Sequence, residues 1–486
     1  MLSLPVRSLR CLAVCGALLW GIGAWAQPTA WPPALRQAMK KAGLPDDAVA
    51  ALVAPVEGGA PLLALGAQRP MNPASVMKLV TTHAAIDLLG PAYQWRTGFY
   101  VDGTVDQGLL RGNLYVRGGG DPKFVMERIA AALQAVRDAG VTVVRGDIVL
   151  DQSAFAVAQP DPSAFDGERL RPYNVAPEAL LVNFKAVVLG FVPDPAAGVA
   201  RVSFEPPLAG LAVDATVPLS ASACGDWRGG LQARFDDPNA IRFGGAYPAR
   251  CGEKPWPVAY VEPSQYATRA LEGMWRAGGG LLTGTTRLGA VPPQARLVHE
   301  APSLPLAEIV SDINKHSNNV MAQQVFLTLG TLAPVAGIPN APATFERSRQ
   351  RVGRWWQARL GSQAPAPVLD NGSGLSRDER ITAQGLLALL RDSAAHPNGE
   401  VLRQSLPVAG VDGTAVRMGE RGVMKLSLGN ARVKTGSLRD VVAVAGYVQA
   451  RNGRNLVVVG MVNHPNAPQA RPVMDALLEW AASQAP

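Results

Sequence analysis

Cysteine, histidine and charge are all scarce in this sequence. Among 486 residues there are four cysteines and five histidines, and Asp, Glu, Lys and Arg make up only 17%. The histidines and acids show no His/Glu ligand spacing, so neither a metal nor another cofactor is implied. Basic residues outnumber acidic ones, 46 to 38, but they are scattered and never form a run of five. A nucleic-acid partner is therefore not indicated. Internal repeats and low-complexity tracts are also missing. Beyond residue 26, no stretch is apolar enough to span a bilayer.

The one long apolar run lies at the start. Arg7 and Arg10 precede Cys11 to Trp25, and Ala24-Trp25-Ala26 forms a small-x-small cleavage pattern before Gln27. That is the layout of a secretory signal peptide over 1–26, and the run is short for a membrane anchor. A lipoprotein signal ending at Cys15 fits less well, because bulky Val14 precedes it. Cleavage would remove two cysteines and two arginines, leaving Cys224 and Cys251 and lowering the net charge from +8 to +6. In an oxidising compartment two cysteines read as one disulfide, with two buried thiols as the alternative.

A hydrophobic share of 48%, with 50 glycines and 40 prolines, describes a globular chain with many turns and short strands. Its length allows two or three cores. The spacing predicts a helix at Pro33–Lys41, strands at Val49–Val56 and Leu62–Gly66, and a helix at Pro73–Leu89 stopped by Gly90-Pro91. Near the other end, three strands are expected at Ala431–Ser437, Val441–Ala450 and Leu456–Val462, with Asn452-Gly453 turning the last pair. A helix at Met474–Ala482 closes the chain. Both ends thus feed one sheet flanked by helices, the α/β arrangement of a discontinuous domain over 27–96 and 302–486. Between them, 97–301 shows short alternating runs broken by Gly, Pro and Asp, with a helix at Val125–Ala139. It reads as an insert of one or two mostly β domains.

Three short motifs carry chemistry. In Ser75-Val76-Met77-Lys78, residues three apart share a helix face, so the Lys78 amine can take the Ser75 hydroxyl proton if its pKa is lowered. A helix N-terminus also offers unpaired N–H groups to an oxyanion. Lys434-Thr435-Gly436-Ser437 falls on an expected strand, whose edge can bind an extended peptide. There Lys434 supplies charge, Thr435 a hydroxyl for a carboxylate, and Gly436 room for close approach. Ser317-Asn318-Asn319 interrupts a helical pattern from Leu306 to Leu329. His316 beside it has no evident acid partner for a Ser-His-Asp triad.

The order Ser-x-x-Lys, Ser-x-Asn, Lys-Thr-Gly resembles the serine penicillin-binding proteins and β-lactamases. The 242-residue step from Ser75 to Ser317 narrows the resemblance to the class C low-molecular-mass penicillin-binding proteins, the penicillin-binding protein 4 group. Leu114 to Pro122, Asp370 to Arg377, Leu406 to Thr414 and the Cys224/Cys251 pair also resemble that group. The resemblance implies a transpeptidase-like domain interrupted by two nested, largely β domains. It implies a periplasmic D-Ala-D-Ala carboxypeptidase and endopeptidase that acts on peptidoglycan stem peptides and is acylated by β-lactam antibiotics. By the same resemblance, Ser75 is the nucleophile, Lys78 its base, and Ser317 with Lys434 the proton relay. Asn319 holds the substrate backbone, Thr435 and Ser437 the terminal carboxylate, and the N–H groups of Ser75 and Ser437 form the oxyanion hole. Arg377, Tyr173 and an acid, Glu168 with Asp166 as competitor, are expected around a diaminopimelate side chain, while Arg439 stands where some relatives carry glutamine. Two rivals remain: a β-lactamase, although no Glu-x-x-Leu-Asn run and no Tyr-x-Asn is present at the expected place, and a catalytically decayed wall-binding protein.

Overall fold

The computed structural model describes residues 30–334 and 341–485, so the expected signal peptide lies outside the described residues. The chain opens with α1 (Pro33–Lys41), β1 (Val49–Pro55) and β2 (Leu63–Leu65), and reaches α2 (Lys78–Leu89) through a 3-10 turn at Ala74–Met77. After the insert come α3 (Leu306–His316), α4 (Asn319–Thr331), α5 (Phe345–Leu360) and α6 (Ala383–Ala395). Strands β3 (Ala431–Leu438), β4 (Val441–Gln449) and β5 (Asn455–Asn463) and helix α7 (Arg471–Ala482) complete the domain.

The five strands form one sheet in the order β2-β1-β5-β4-β3, so the first strand of the chain pairs with the last. Antiparallel pairing places Leu52 opposite Val459 and Lys434 opposite Ala445. Successive side chains point to opposite faces of a strand. Val49, Ala51 and Val53 accordingly enter one core with α1 and α7, whereas Ala50, Leu52 and Ala54 enter another with α2 to α6. Burial on both faces explains why β1 and β5 are nearly continuous apolar runs instead of alternating ones. Helix α2 is buried all round from Lys78 to Ile86, as its Leu, Val, Ala and Ile content requires. β3 is left as a sheet edge, packed against the 3-10 turn at Ala74–Met77.

The insert begins and ends in one ladder, where Arg96–Val101 pairs antiparallel with Arg296–Pro302. Its outer unit has two sheets together with helices Met126–Asp138 and Pro263–Ala277, and is therefore richer in helix than the composition suggested. The inner unit, Ala186 to Ala259, is β-rich: a five-stranded sheet beside a three-stranded one. Both units share a single apolar core. Cys224 and Cys251 are bonded there, which settles the choice between disulfide and thiols. Among the described residues, no helix is long and apolar enough to cross a membrane.

Candidate active site

The 3-10 turn is the first local fact about the site. The sequence pattern suggested an α-helix from Pro73, yet regular α geometry starts only at Lys78. In a 3-10 turn residues i and i+3 eclipse, which stacks Ser75 directly with Lys78. Ala74 enters this turn at φ 46, a left-handed conformation that costs a non-glycine residue energy. Asn72 holds it there: its Oδ1 accepts from Ala74 N at 2.8 Å, and its Nδ2 donates to Ser376 O at 2.9 Å. Asn463 of β5 in turn binds Asn72 through both backbone groups. Neither asparagine stands out in the sequence, because each acts through backbone contacts with distant segments.

Lys78 Nζ lies 3.0 Å from Ser75 Oγ, 2.7 Å from Asn319 Oδ1 and 2.5 Å from Ser373 O. A neutral amine has two N–H donors and one lone pair. Asn319 and the Ser373 carbonyl are acceptors, so they take the two donors and leave the lone pair for the Ser75 hydroxyl. Complete burial, and secondarily the charge of Lys434, push the Lys78 pKa well below its ordinary value, while Glu379 opposes the shift.

The helical break expected at Ser317-Asn318-Asn319 is present. Ser317 adopts φ 56 at the end of α3, and the Asn318 side chain caps α4 by accepting from Met321 N at 3.1 Å. The break turns Ser317 Oγ toward Lys434 Nζ at 2.9 Å and places Asn319 on Lys78. Lys434 is fully buried, and desolvation lowers its pKa to about 7. Gly436 allows β3 to lie against the turn that carries Ser75. A Cβ there would sit 2.5 Å from Pro73 O, closer than side chains approach backbone, and 3.0 Å from Ser75 N. Gly374 is as tightly constrained, at φ +80 with a hypothetical Cβ 1.9 Å from Ala74 O.

Ser75, Ser317 and Ser437 are where two compartments of one cleft meet. One of them, about 680 Å3, is lined by Tyr173, Asp166 and Phe165 from the insert and by Arg377 and Arg439 from the main domain. Arg377 stacks over the Phe165 ring at 4.8 Å and pairs with Asp440 at 3.0 Å, a partner not anticipated from sequence. Of the two candidate acids, Asp166 lines the cleft, accepting from Tyr173 Oη at 2.9 Å and Asn174 Nδ2 at 2.8 Å. Glu168 is not among the residues lining the cleft and pairs instead with Arg171 at 3.2 Å. The other compartment, about 430 Å3, contains Thr435 and Gly436. Among the described residues, no group of three or more His, Cys, Asp or Glu side chains forms a metal site.

Residues 33–484 match the D-Ala-D-Ala carboxypeptidase 3 (S13) family. The chain belongs to that family. The D-alanyl-D-alanine carboxypeptidase of Actinomadura sp. (strain R39) is 29% identical over 485 residues, covering 93% of this chain and 84% of that protein. The fold is that of penicillin-binding protein 4 from Haemophilus influenzae, whose crystal structure superposes with a TM-score of 0.72 at 22% identity over 92% of this chain and 99% of that one. A second structure of the same Haemophilus protein, complexed with a β-lactam, gives 0.68.

Proposed function

We propose that this S13-family member is a serine D-Ala-D-Ala carboxypeptidase that also opens D-alanyl-diaminopimelate crosslinks, working through an acyl-enzyme on Ser75. The observation carrying this reading is the 3.0 Å contact of Ser75 Oγ with an amine whose burial favours its free base. Lys78 takes the hydroxyl proton as Ser75 Oγ attacks the carbonyl of the penultimate D-Ala. The N–H groups of Ser75 and Ser437 stabilise the oxyanion. The amide C–N bond then breaks, and Ser317 with Lys434 returns a proton to the leaving amine. Water releases the acyl group by the reverse proton path. Thr435 and Ser437 receive the substrate carboxylate, and Asn319 the acyl-side backbone. Arg377 and Asp166, with Tyr173 alongside, match the carboxylate and ammonium of a diaminopimelate side chain.

The same chemistry makes the protein a target for β-lactams, whose strained amide acylates Ser75 in place of substrate. The disulfide and the leader-like residues 1–26 support export to the periplasm. Incubation with a stem pentapeptide ending in D-Ala-D-Ala tests the reading. Wild type should release one D-Ala per peptide and Ser75→Ala none. Undiminished release by the variant would exclude Ser75 as nucleophile.

A further inference from the structure

The second compartment of the cleft is larger and more basic than the loss of a single alanine requires. It meets the acyl-side compartment at Ser75, Ser317 and Ser437 and extends past Thr435 to a wall formed by the 3-10 segment Gly413–Arg421 and the start of α7. Three arginines and no carboxylate line it. One of the three, Arg421, is spent on structure: it forms a two-pronged pair with the fully buried Asp475 at 2.5 and 2.6 Å and pins the segment to α7. The other end of the wall is fixed as well. Lys315 Nζ reaches Asp412 Oδ2 at 2.5 Å, and Thr414 Oγ1 lies 2.9 Å from Thr435 Oγ1.

Arg417 and Arg471 are different. Both are exposed on the compartment, and among the described residues neither guanidinium forms an ion pair or a hydrogen bond. A volume of about 430 Å3 falls among pockets that accept whole multi-group ligands, roughly 300–1,000 Å3. A departing D-alanine has one carboxylate, already assigned to Thr435 and Ser437. Two free arginines behind that point leave positive charge with nothing to meet in the simple carboxypeptidase reaction.

We propose that Arg417 and Arg471 form a leaving-side subsite for a peptide carrying further carboxylates, and that this subsite favours cleavage of crosslinked stems over release of alanine. It rests on the Ser75 acyl-enzyme proposed above. In the crosslink reaction the D-Ala carbonyl passes to Ser75 Oγ, and the amide bond to the acceptor amine breaks. That amine leaves with the transferred proton, and water hydrolyses the ester. The acceptor stem occupies the basic compartment until it departs. Its carboxylates face the two exposed guanidiniums, where charge matching contributes to kcat/KM and to on-rate.

The test uses the mature full-length protein and two substrates with the same acyl half: a monomeric pentapeptide and a crosslinked dimer with free leaving-side carboxylates. Arg417→Ala/Arg471→Ala should lower kcat/KM on the dimer on the order of tenfold, as two partly exposed charge contacts warrant, with alanine release changed less than about twofold. Amidating the leaving-side carboxylates of the dimer other than the one beside the scissile amide should make wild type behave like the variant, and Arg417→Lys/Arg471→Lys should restore much of the loss. An equal loss on both substrates, no loss on the dimer, or a wild type that releases alanine but leaves dimers intact would overturn the subsite. Failure of wild type both to release alanine and to acquire an adduct on Ser75 would instead overturn the acyl-enzyme beneath it.

Discussion

A lysine completely removed from water ionises only with difficulty, and the site contains two of them, Lys78 and Lys434, each on a serine hydroxyl. Burial lowers both pKa values, that of Lys434 to about 7, so both amines keep their free base at a lower pH than an exposed lysine does. In the proposed mechanism, acylation requires Lys78 as the free base. The rate of labelling by a reporter penicillin should therefore be high at neutral to mildly alkaline pH and fall on the acid side, with Lys434 titrating near 7. A rate that climbs only near pH 10, the range of an ordinary lysine, would contradict this assignment. Lys78→Ala should slow acylation by roughly 10²–10⁴-fold, the usual worth of a positioned general base, with far-ultraviolet circular dichroism unchanged. These residues were legible from sequence because a spaced motif names them. Asn72, Asn463 and Glu379 were not, since burial and contacts across hundreds of residues define their roles.

At the scale of elements, the loop from Asp370 to Arg380 is the part that sequence spacing described least. Glu379 is fully buried, and its Oε1 accepts from Gly372 N at 2.8 Å and Asp370 N at 3.2 Å. The anchored turn presents the Ser373 carbonyl to Lys78. Burial raises the Glu379 pKa to about 7, against the pull of those backbone donors. A carboxyl whose folded pKa lies above its unfolded value of about 4.3 stabilises fully below that value, and the contribution disappears as pH rises through 7. Glu379→Gln, which keeps an acceptor, should therefore gain stability relative to wild type between pH 5 and pH 8 in denaturant melts. Glu379→Ala should lose about 1–3 kcal/mol and slow acylation, because two buried N–H groups lose their acceptor. Equal effects of the two variants at every pH would refute the role. Regular elements were more transparent. Helix Pro33–Lys41 lies where its proline start and apolar spacing put it, and the three C-terminal strands differ from expectation only at their ends. The turn carrying Ser75 differed because a three-residue spacing suits α and 3-10 geometry alike.

At the scale of the whole molecule, the proposed function locates specificity where the insert meets the main domain. The loop bearing Phe165, Asp166 and Tyr173 crosses to Asn319, whose Nδ2 lies 3.4 Å from Tyr173 O, and faces Arg377. Which of two acids two residues apart faces the cleft could not be read from an exposed loop without periodicity, so the sequence left Glu168 and Asp166 both as candidates, and the structure lines the cleft with Asp166. Arg377→Ala or Asp166→Asn should lower kcat/KM for a diaminopimelyl peptide about tenfold, the lower range for charge-assisted contacts because Arg377 is exposed and already faces Asp440. A simple acyl thioester without that side chain should be turned over unchanged; equal losses would assign these residues to architecture. The disulfide belongs to this scale too. It closes a 27-residue separation, worth about 3.5 kcal/mol in the chain-entropy model. Its reduction should lower the melting temperature of the insert and leave penicillin labelling intact.

One measurement bears on the central claim most directly: treat the mature protein with a penicillin at neutral pH, digest it, and locate the added mass. A single adduct on the peptide containing Ser75, absent in Ser75→Ala, is the predicted result. An adduct on Ser317 or elsewhere, or none on a folded protein, would contradict the acyl-enzyme.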